Sequence, residues 1–174
     1  MTAVRLSCQC SRRGGGGTLA VPMPRTPPMH NPVLQTPAAS SADALRHFGA
    51  KRSLETDCWD VHAAMSGAAA GFVLLDVRSP ALYAQGHLPG ARNLPHAKIV
   101  QGKLSAYPAD ILFVVYCAGP HCNGADKAAL RLAALQRPVK LMIGGITGWL
   151  DEGFALVRGD AGADADADAD VDAG

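Results

Sequence analysis

Two cysteines five positions apart, Cys117 and Cys122, are the residues of this 174-residue sequence best placed to do chemistry. Cys117 follows an apolar run that ends at Tyr116, and a short loop then leads into a helical pattern that begins near Gly124. A strand end followed by a tight loop and a helix N-terminus is the crevice where open α/β sheets bind ligands. Loop amides and the positive end of a helix stabilise a thiolate, a persulfide anion or an oxyanion there. The residues alone leave a second interpretation open, in which Cys117 is an inert thiol packed in the core.

The elements that would position these cysteines follow from the apolar pattern. Short continuous apolar runs closed by charge or glycine are typical of buried parallel strands, and apolar positions at helical spacing predict helices between them. We expect an α/β fold in which helices cover both faces of a central parallel sheet. The predicted strands are Phe72–Val77, Ile111–Tyr116 and Val139–Ile143, and the predicted helices are Ser41–Ala50, one from Asp57 to Gly67, a turn after Ser79, a long helix from Gly124 or Ala125 to Pro138 and one around Trp149.

The two ends of the chain differ from its middle in composition. Residues 1–40 contain a run of four glycines and several prolines, which oppose both helix and sheet, so we predict a disordered extension. Residues 160–174 carry six Asp and no base, which predicts a disordered acidic tail; a tail that folds back over the basic body is the alternative. Residues 41–159, with a core at 54–156, form the predicted single domain.

Charge and cysteine content exclude several classes of protein. Outside the acidic tail the chain carries about +7, but the bases are scattered rather than gathered in a stripe, so we expect no nucleic-acid partner. Five cysteines without regular spacing indicate a reducing compartment rather than a secreted disulfide framework. The sequence shows neither a signal peptide nor an apolar stretch of membrane-spanning length, which predicts a cytoplasmic protein without a membrane partner.

Three blocks of residues resemble the rhodanese family, in the order that the family has them. Asp76-Val77-Arg78 resembles its Asp-x-Arg strand end, and Gly86–Asn93 resembles its Gly-His-Ile-Pro-Gly-Ala loop. The third block is the strand and loop at Cys117, followed by a pair of glycines and a tryptophan that resemble the end of the family's pattern. The resemblance runs from about residue 54 to residue 156, roughly 60% of the chain.

This resemblance implies a rhodanese-type sulfurtransferase in which Cys117 alternates between thiol and persulfide. A small donor such as thiosulfate supplies the sulfur, and a thiol, cyanide or a protein thiol accepts it, without a metal or organic cofactor. The loop would bind the substrate, and neighbouring residues would support it. The predicted loop residues are Ala118, Gly119, Pro120, His121, Cys122, Asn123 and Gly124, and the predicted supports are Asp76, Arg78 and His87.

The loop departs from the family pattern in charge and in its second cysteine. Many rhodaneses carry Arg or Lys here, whereas His121 is the only candidate cation, and Asn123 stands where related phosphatases need Arg. We hypothesise that Cys122 resolves an oxidised or persulfidated Cys117 as a disulfide. The alternatives are a loop residue without a role, a zinc site of Cys117, His121 and Cys122, or a non-catalytic binding or redox-sensing module that uses both cysteines.

Overall fold

The computed structural model of the protein describes residues 31–67 and 71–159. The predictions for residues 1–30 and for the acidic tail lie outside the described residues. The chain divides into two units, and the described part of the first, residues 31–38, contains the one-turn helix α1, Pro32–Gln35. The sequence did not predict this helix. Pro32 occupies the first turn, where its missing N–H costs nothing, and the Asn31 side chain accepts a hydrogen bond from the Val33 amide (3.1 Å).

The second unit, residues 39–174, contains a five-stranded sheet in its described part. All strands are parallel, in the order β1-β5-β4-β2-β3, so β4 lies in the centre. The strands are β1 Glu55–Thr56, β2 Phe72–Asp76, β3 Arg92–Asn93, β4 Leu112–Tyr116 and β5 Val139–Met142. The helices are α2 Ser41–Leu54, α3 Cys58–Met65, α4 Pro80–Gln85, α5 Gln101–Leu104, α6 Gly124–Ala134 and α7 Gly145–Asp151, with a 3₁₀ turn at His96–Lys98.

Helices cover both faces of this sheet, which confirms the predicted fold class. Because successive side chains of a strand alternate between faces, β4 feeds two cores. Val114 and Tyr116 pack on one side, with residues of α3, α4 and α7. Phe113 and Val115 pack on the other, with residues of α5 and α6. Burial on both faces is what makes β4 a continuous apolar run in the sequence.

The boundaries of the elements follow from local signals. Asp57 caps α3 by accepting from the Asp60 amide (2.8 Å), and Ser79 caps α4 ahead of Pro80. Helix α2 is four residues longer than predicted and contains no buried residue; Leu45 and Phe48 are 78% and 61% exposed. The predicted apolar face of α2 is therefore not part of the core.

None of the helices in the described residues is long and apolar enough to cross a membrane.

Candidate functional site

Cys117 is the first residue after the central strand β4, and hydrogen bonds hold the backbone on both of its sides. The Tyr116 carbonyl accepts from the Val77 amide (3.1 Å), which ties the end of β4 to the end of β2. The Cys117 carbonyl accepts from the Ile146 amide (3.1 Å), at the start of α7. The Cys117 side chain is buried at 6% exposure. Its position is thus fixed by three separate elements of the fold.

Thr147 holds the next residue of the loop. Its amide and its hydroxyl both donate to the Ala118 carbonyl, at 3.0 and 2.9 Å. Thr147 could not be identified from the sequence, because a threonine two residues after a glycine pair carries no signal of its own. Helix α7 therefore clamps the backbone that leads out of Cys117.

Glycines are required where α7 meets the loop. Gly145 has φ +58°, and a side chain on it would collide with the Cys117 carbonyl and lie 2.9 Å from the Gly119 nitrogen. A side chain on Gly119 would in turn collide with the Thr147 hydroxyl. Gly145 and Gly119 therefore permit the close approach of α7 to the loop on which the clamp depends.

A disulfide joins Cys117 to Cys122. Between them the loop turns back on itself through a hydrogen bond from the Cys122 amide to the Gly119 carbonyl (3.0 Å), which brings the two Cα atoms to 6.3 Å. That separation lies within the range that a disulfide spans. Cys122 is half-buried and more accessible than Cys117. The structure therefore pairs the two thiols that the sequence singled out.

Both sulfurs lie against the N-terminus of α6. A Cβ on Gly124, the first residue of that helix, would lie 2.9 Å from the Cys117 sulfur and 3.4 Å from the Cys122 sulfur. The N-cap residue Asn123 makes no side-chain capping bond. An anion on either sulfur would thus meet the positive end of the helix dipole.

A shallow depression opens beside the disulfide. Its walls are Pro120, His121, Cys122, Asn123 and Asp126. None of these wall residues carries a permanent positive charge, while Asp126 contributes a carboxylate from the first turn of α6. His121 is exposed to solvent.

Asp76 and Arg78 form a buried ion pair at the end of β2. Asp76 is fully buried, and it accepts from the Arg78 backbone amide (3.0 Å) and side chain (Nε at 2.9 Å, Nη2 at 2.5 Å). The Arg78 guanidinium also donates to the Gly86 carbonyl (2.7 Å), so the pair ties β2 to the 86–93 loop. Burial opposes the charge of Arg78, but the hydrogen bond and the charge of Asp76 outweigh it and raise the Arg78 pKa.

The same loop binds the hydroxyl of a tyrosine on β4. The Leu88 amide donates to the Tyr116 hydroxyl (3.1 Å). Burial, and after it the Asp76 charge, raise the Tyr116 pKa, so this hydroxyl stays protonated. Tyr116, the residue directly before Cys117, thus ties the 86–93 loop to the end of β4.

His87 is buried at 7% exposure in the same loop. Its ring stacks on Tyr83 with centroids 3.6 Å apart, its Nδ1 lies 2.9 Å from the Tyr83 carbonyl, and its backbone pairs with Val157. These contacts pack the His87 side chain against Tyr83 and hold its backbone beside Val157. The roles that the sequence assigns to His87, Asp76 and Arg78 remain predictions.

Cys58 is a free, buried thiol at the start of α3. Its sulfur lies 3.5 Å from the Ile143 carbonyl and 3.7 Å from the Gly145 carbonyl, so it packs under the glycine pair. Burial, followed by the charges of Asp57 and Glu152, raises its pKa to about 11. Cys58 is therefore protonated at neutral pH and packs as an apolar group.

Among the described residues, no group of three or more His, Cys, Asp or Glu side chains is arranged to hold a metal ion.

The family model of the rhodanese-like domain matches residues 60–152, which is more than half of the chain. The chain belongs to the rhodanese-like domain family. This confirms the resemblance inferred from the three sequence blocks.

Individual proteins resemble this chain in sequence, in fold or in both. A protein of Bacillus halodurans is 34% identical, with a TM-score of 0.66 over 68% of this chain and 87% of that one. A Lactobacillus plantarum protein at 21% identity shares the fold, with a TM-score of 0.59 over 68% of this chain and 99% of that one. An HTH-type transcriptional regulator of Mycobacterium tuberculosis is 34% identical over 93 residues. Those residues are 50% of this chain but 41% of the regulator, so the rhodanese-like chain spans less than half the length of that relative.

Proposed function

We propose that this rhodanese-like domain is a sulfurtransferase that carries sulfane sulfur as a persulfide on Cys117. The observation that supports this most directly is the position of the Cys117 sulfur. It lies at the end of the central strand and against the first residue of α6. A thiolate is the nucleophile in sulfur transfer, and a helix N-terminus stabilises both the thiolate and the persulfide anion formed from it.

In the first half of the reaction the Cys117 thiolate attacks the outer sulfur of the donor. A sulfur–sulfur bond forms at Cys117 while the bond within the donor breaks, and its electron pair leaves with the remainder of the donor. With thiosulfate that remainder is sulfite; with a thiol persulfide it is a thiolate. In the second half a nucleophile, such as a small thiol, cyanide or a protein thiol, takes the outer sulfur and restores the Cys117 thiolate.

The charge beside the site favours a donor with less negative charge than thiosulfate. The depression next to Cys122 has no fixed cation in its walls and has the Asp126 carboxylate. A dianion in that place lacks the bidentate guanidinium partner that binds oxyanions best, and Asp126 repels it. A persulfide on a small thiol would meet less repulsion, and we propose donors of that class.

The disulfide favours a second candidate function, a thiol redox module without sulfurtransferase activity. In this alternative an oxidant joins Cys117 to Cys122, and a reductant separates them. The alternative requires no sulfur donor, which makes the two functions separable by experiment.

The test is mass spectrometry of reduced, desalted protein after exposure to thiosulfate, mercaptopyruvate or a small-thiol persulfide. Sulfur transfer predicts that Cys122→Ser, which lacks the second thiol of the loop, gains one sulfur atom on the peptide that contains Cys117. Adding Cys117→Ser abolishes this gain, whereas adding Cys58→Ala serves as the control for loss of a cysteine outside the loop. If no donor adds sulfur to Cys117 of Cys122→Ser, while an oxidant still joins the two cysteines of wild type, the redox module is the function and the sulfurtransferase proposal fails.

A further inference from the structure

We propose that Cys122 is the resolving thiol of this site, which expels the carried sulfur from Cys117 as hydrosulfide and leaves a disulfide for a dithiol reductant. This inference rests on the proposed persulfide on Cys117. It assigns Cys122 a chemical step and names the class of molecule that completes the cycle.

The geometry of the loop determines which sulfur Cys122 reaches. The hydrogen bond from the Cys122 amide to the Gly119 carbonyl and the one from the Ile146 amide to the Cys117 carbonyl hold the loop so that the two Cα atoms are 6.3 Å apart. The two sulfurs are bonded directly. In a persulfide, the sulfur in that place is the inner one, which belongs to Cys117 itself. Attack on the inner sulfur displaces the outer sulfur, whereas attack on the outer sulfur would move it to Cys122. The structure thus favours displacement.

The step balances without an external oxidant. The Cys122 thiolate forms a bond to the inner sulfur, the bond between inner and outer sulfur breaks, and the outer sulfur leaves as hydrosulfide with the electron pair and the persulfide proton. The sulfane sulfur is reduced to sulfide, and the two cysteines are oxidised to the disulfide. One dithiol then reduces the disulfide through a mixed disulfide and is itself oxidised to a cyclic or intramolecular disulfide.

Exposure and electrostatics both favour attack of the reductant on the Cys122 sulfur. Cys122 is half-buried and lines the open depression, whereas Cys117 is 6% exposed, so the reductant reaches the Cys122 sulfur first. Attack there releases the Cys117 thiolate, which lies at the N-terminus of α6. The Cys117 sulfur lies nearer to Gly124 than the Cys122 sulfur does, and the more stabilised thiolate is the better leaving group, so reduction proceeds in that direction. A dithiol completes the reaction within one complex, while a monothiol needs a second molecule.

A single-turnover experiment tests the inference. Reduced protein is exposed without oxygen to one equivalent of a small-thiol persulfide, and released sulfide, persulfide and disulfide are measured. Wild type and Cys58→Ala should release one sulfide for each protein loaded and end with Cys117 joined to Cys122. In Cys122→Ser the sulfur should stay on Cys117, with sulfide release at least about tenfold slower, because an external thiol must then supply the attack.

The outcomes separate this inference from the proposed function. Wild-type protein that holds a persulfide on Cys117 beside a free Cys122 thiol would refute the resolving role and leave sulfur transfer intact. If neither wild type nor Cys122→Ser accepts sulfur, the proposed function fails first. In steady state, dithiothreitol should sustain about tenfold more sulfide release from wild type than 2-mercaptoethanol at equal thiol concentration. Equal rates of sulfide release from wild type with the two reductants would also contradict the proposal.

Discussion

Replacing Gly124 with alanine places a methyl group where the two sulfurs of the loop meet. The added carbon would lie 2.9 Å from the Cys117 sulfur and 3.4 Å from the Cys122 sulfur. The first distance is shorter than real contacts of this kind, so either the sulfurs or the start of α6 must move. The hydrogen bond from Ile146 holds Cys117, and the buried Ala128 and Leu132 hold α6, so neither moves freely. We expect a loss of about 1–3 kcal/mol in the free energy of unfolding, as is typical of overpacking.

Urea denaturation of the oxidised protein measures this loss, and the chain offers a matched control. Gly102 is also a helical glycine, in α5, but a Cβ on it would meet no atom within 4 Å. Gly102→Ala should therefore be neutral or stabilising by up to about 1 kcal/mol, because alanine loses less backbone entropy in a helix. The Gly124→Ala protein should also accept sulfur on Cys117 more slowly, since a persulfide needs space at the same place.

A double-mutant cycle identifies the cause of the loss. Under reducing conditions, Gly124→Ala should cost less in a Cys117→Ala background, because the Cys117 sulfur that the methyl group meets is gone; a coupling of about 0.5–3 kcal/mol is expected. Equal stability of Gly124→Ala and Gly102→Ala, or a coupling near zero, would refute the packing of the sulfurs against α6 that underlies the proposed site.

Three further predictions concern other parts of the molecule. Arg78→Met should cost about 3–5 kcal/mol in urea unfolding by leaving the buried Asp76 carboxylate unpaired, and adding Asp76→Asn should recover part of it; a double variant no more stable than the single one would contradict this. Asp126→Asn should speed the reaction of Cys117 with thiosulfate about fivefold at low salt, because it removes a carboxylate of the depression that repels the dianion, and leave a neutral donor unaffected. The raised pKa of Cys58, about 11 against an ordinary 9.0, favours its neutral thiol in the fold. That stabilisation is complete below pH 9 and is lost as pH rises through 11, so stability measured against pH should fall there and fall less in Cys58→Ala.

The sequence predicts the parts of the fold whose signals are strong and local. Strands β2 and β4 read as apolar runs because both faces of the sheet are covered, β5 follows the break at Pro138, and the starts of α3 and α4 follow from capping by Asp57 and Ser79. Strands β1 and β3 have two residues each, too few to show any period, and their pairing depends on neighbours that are distant in the chain. They could not be predicted from a single sequence.

The same distinction holds in the site. Cys117 and its loop could be predicted because a strand end, a loop and a helix start follow one another directly. The tasks of Thr147 and Gly145 could not, since they depend on the approach of α7 to a loop almost thirty residues earlier, and nothing local encodes that contact. The exposure of Leu45 and Phe48 was also missed, because helical spacing indicates an apolar face without showing whether anything covers it.

The clamp between α7 and the Cys117 loop also has a consequence for synthesis of the protein. The chain is made from its N-terminus, so Cys117 and Cys122 leave the ribosome before Gly145, Ile146 and Thr147 exist. Until those residues arrive, nothing holds the Cys117 carbonyl, and β5 is absent from its place beside β4. The nascent chain thus passes through a period in which its reactive thiols are present without the frame that orients them. During this interval an oxidant can join either thiol to the wrong cysteine. The interval ends when α7 is complete.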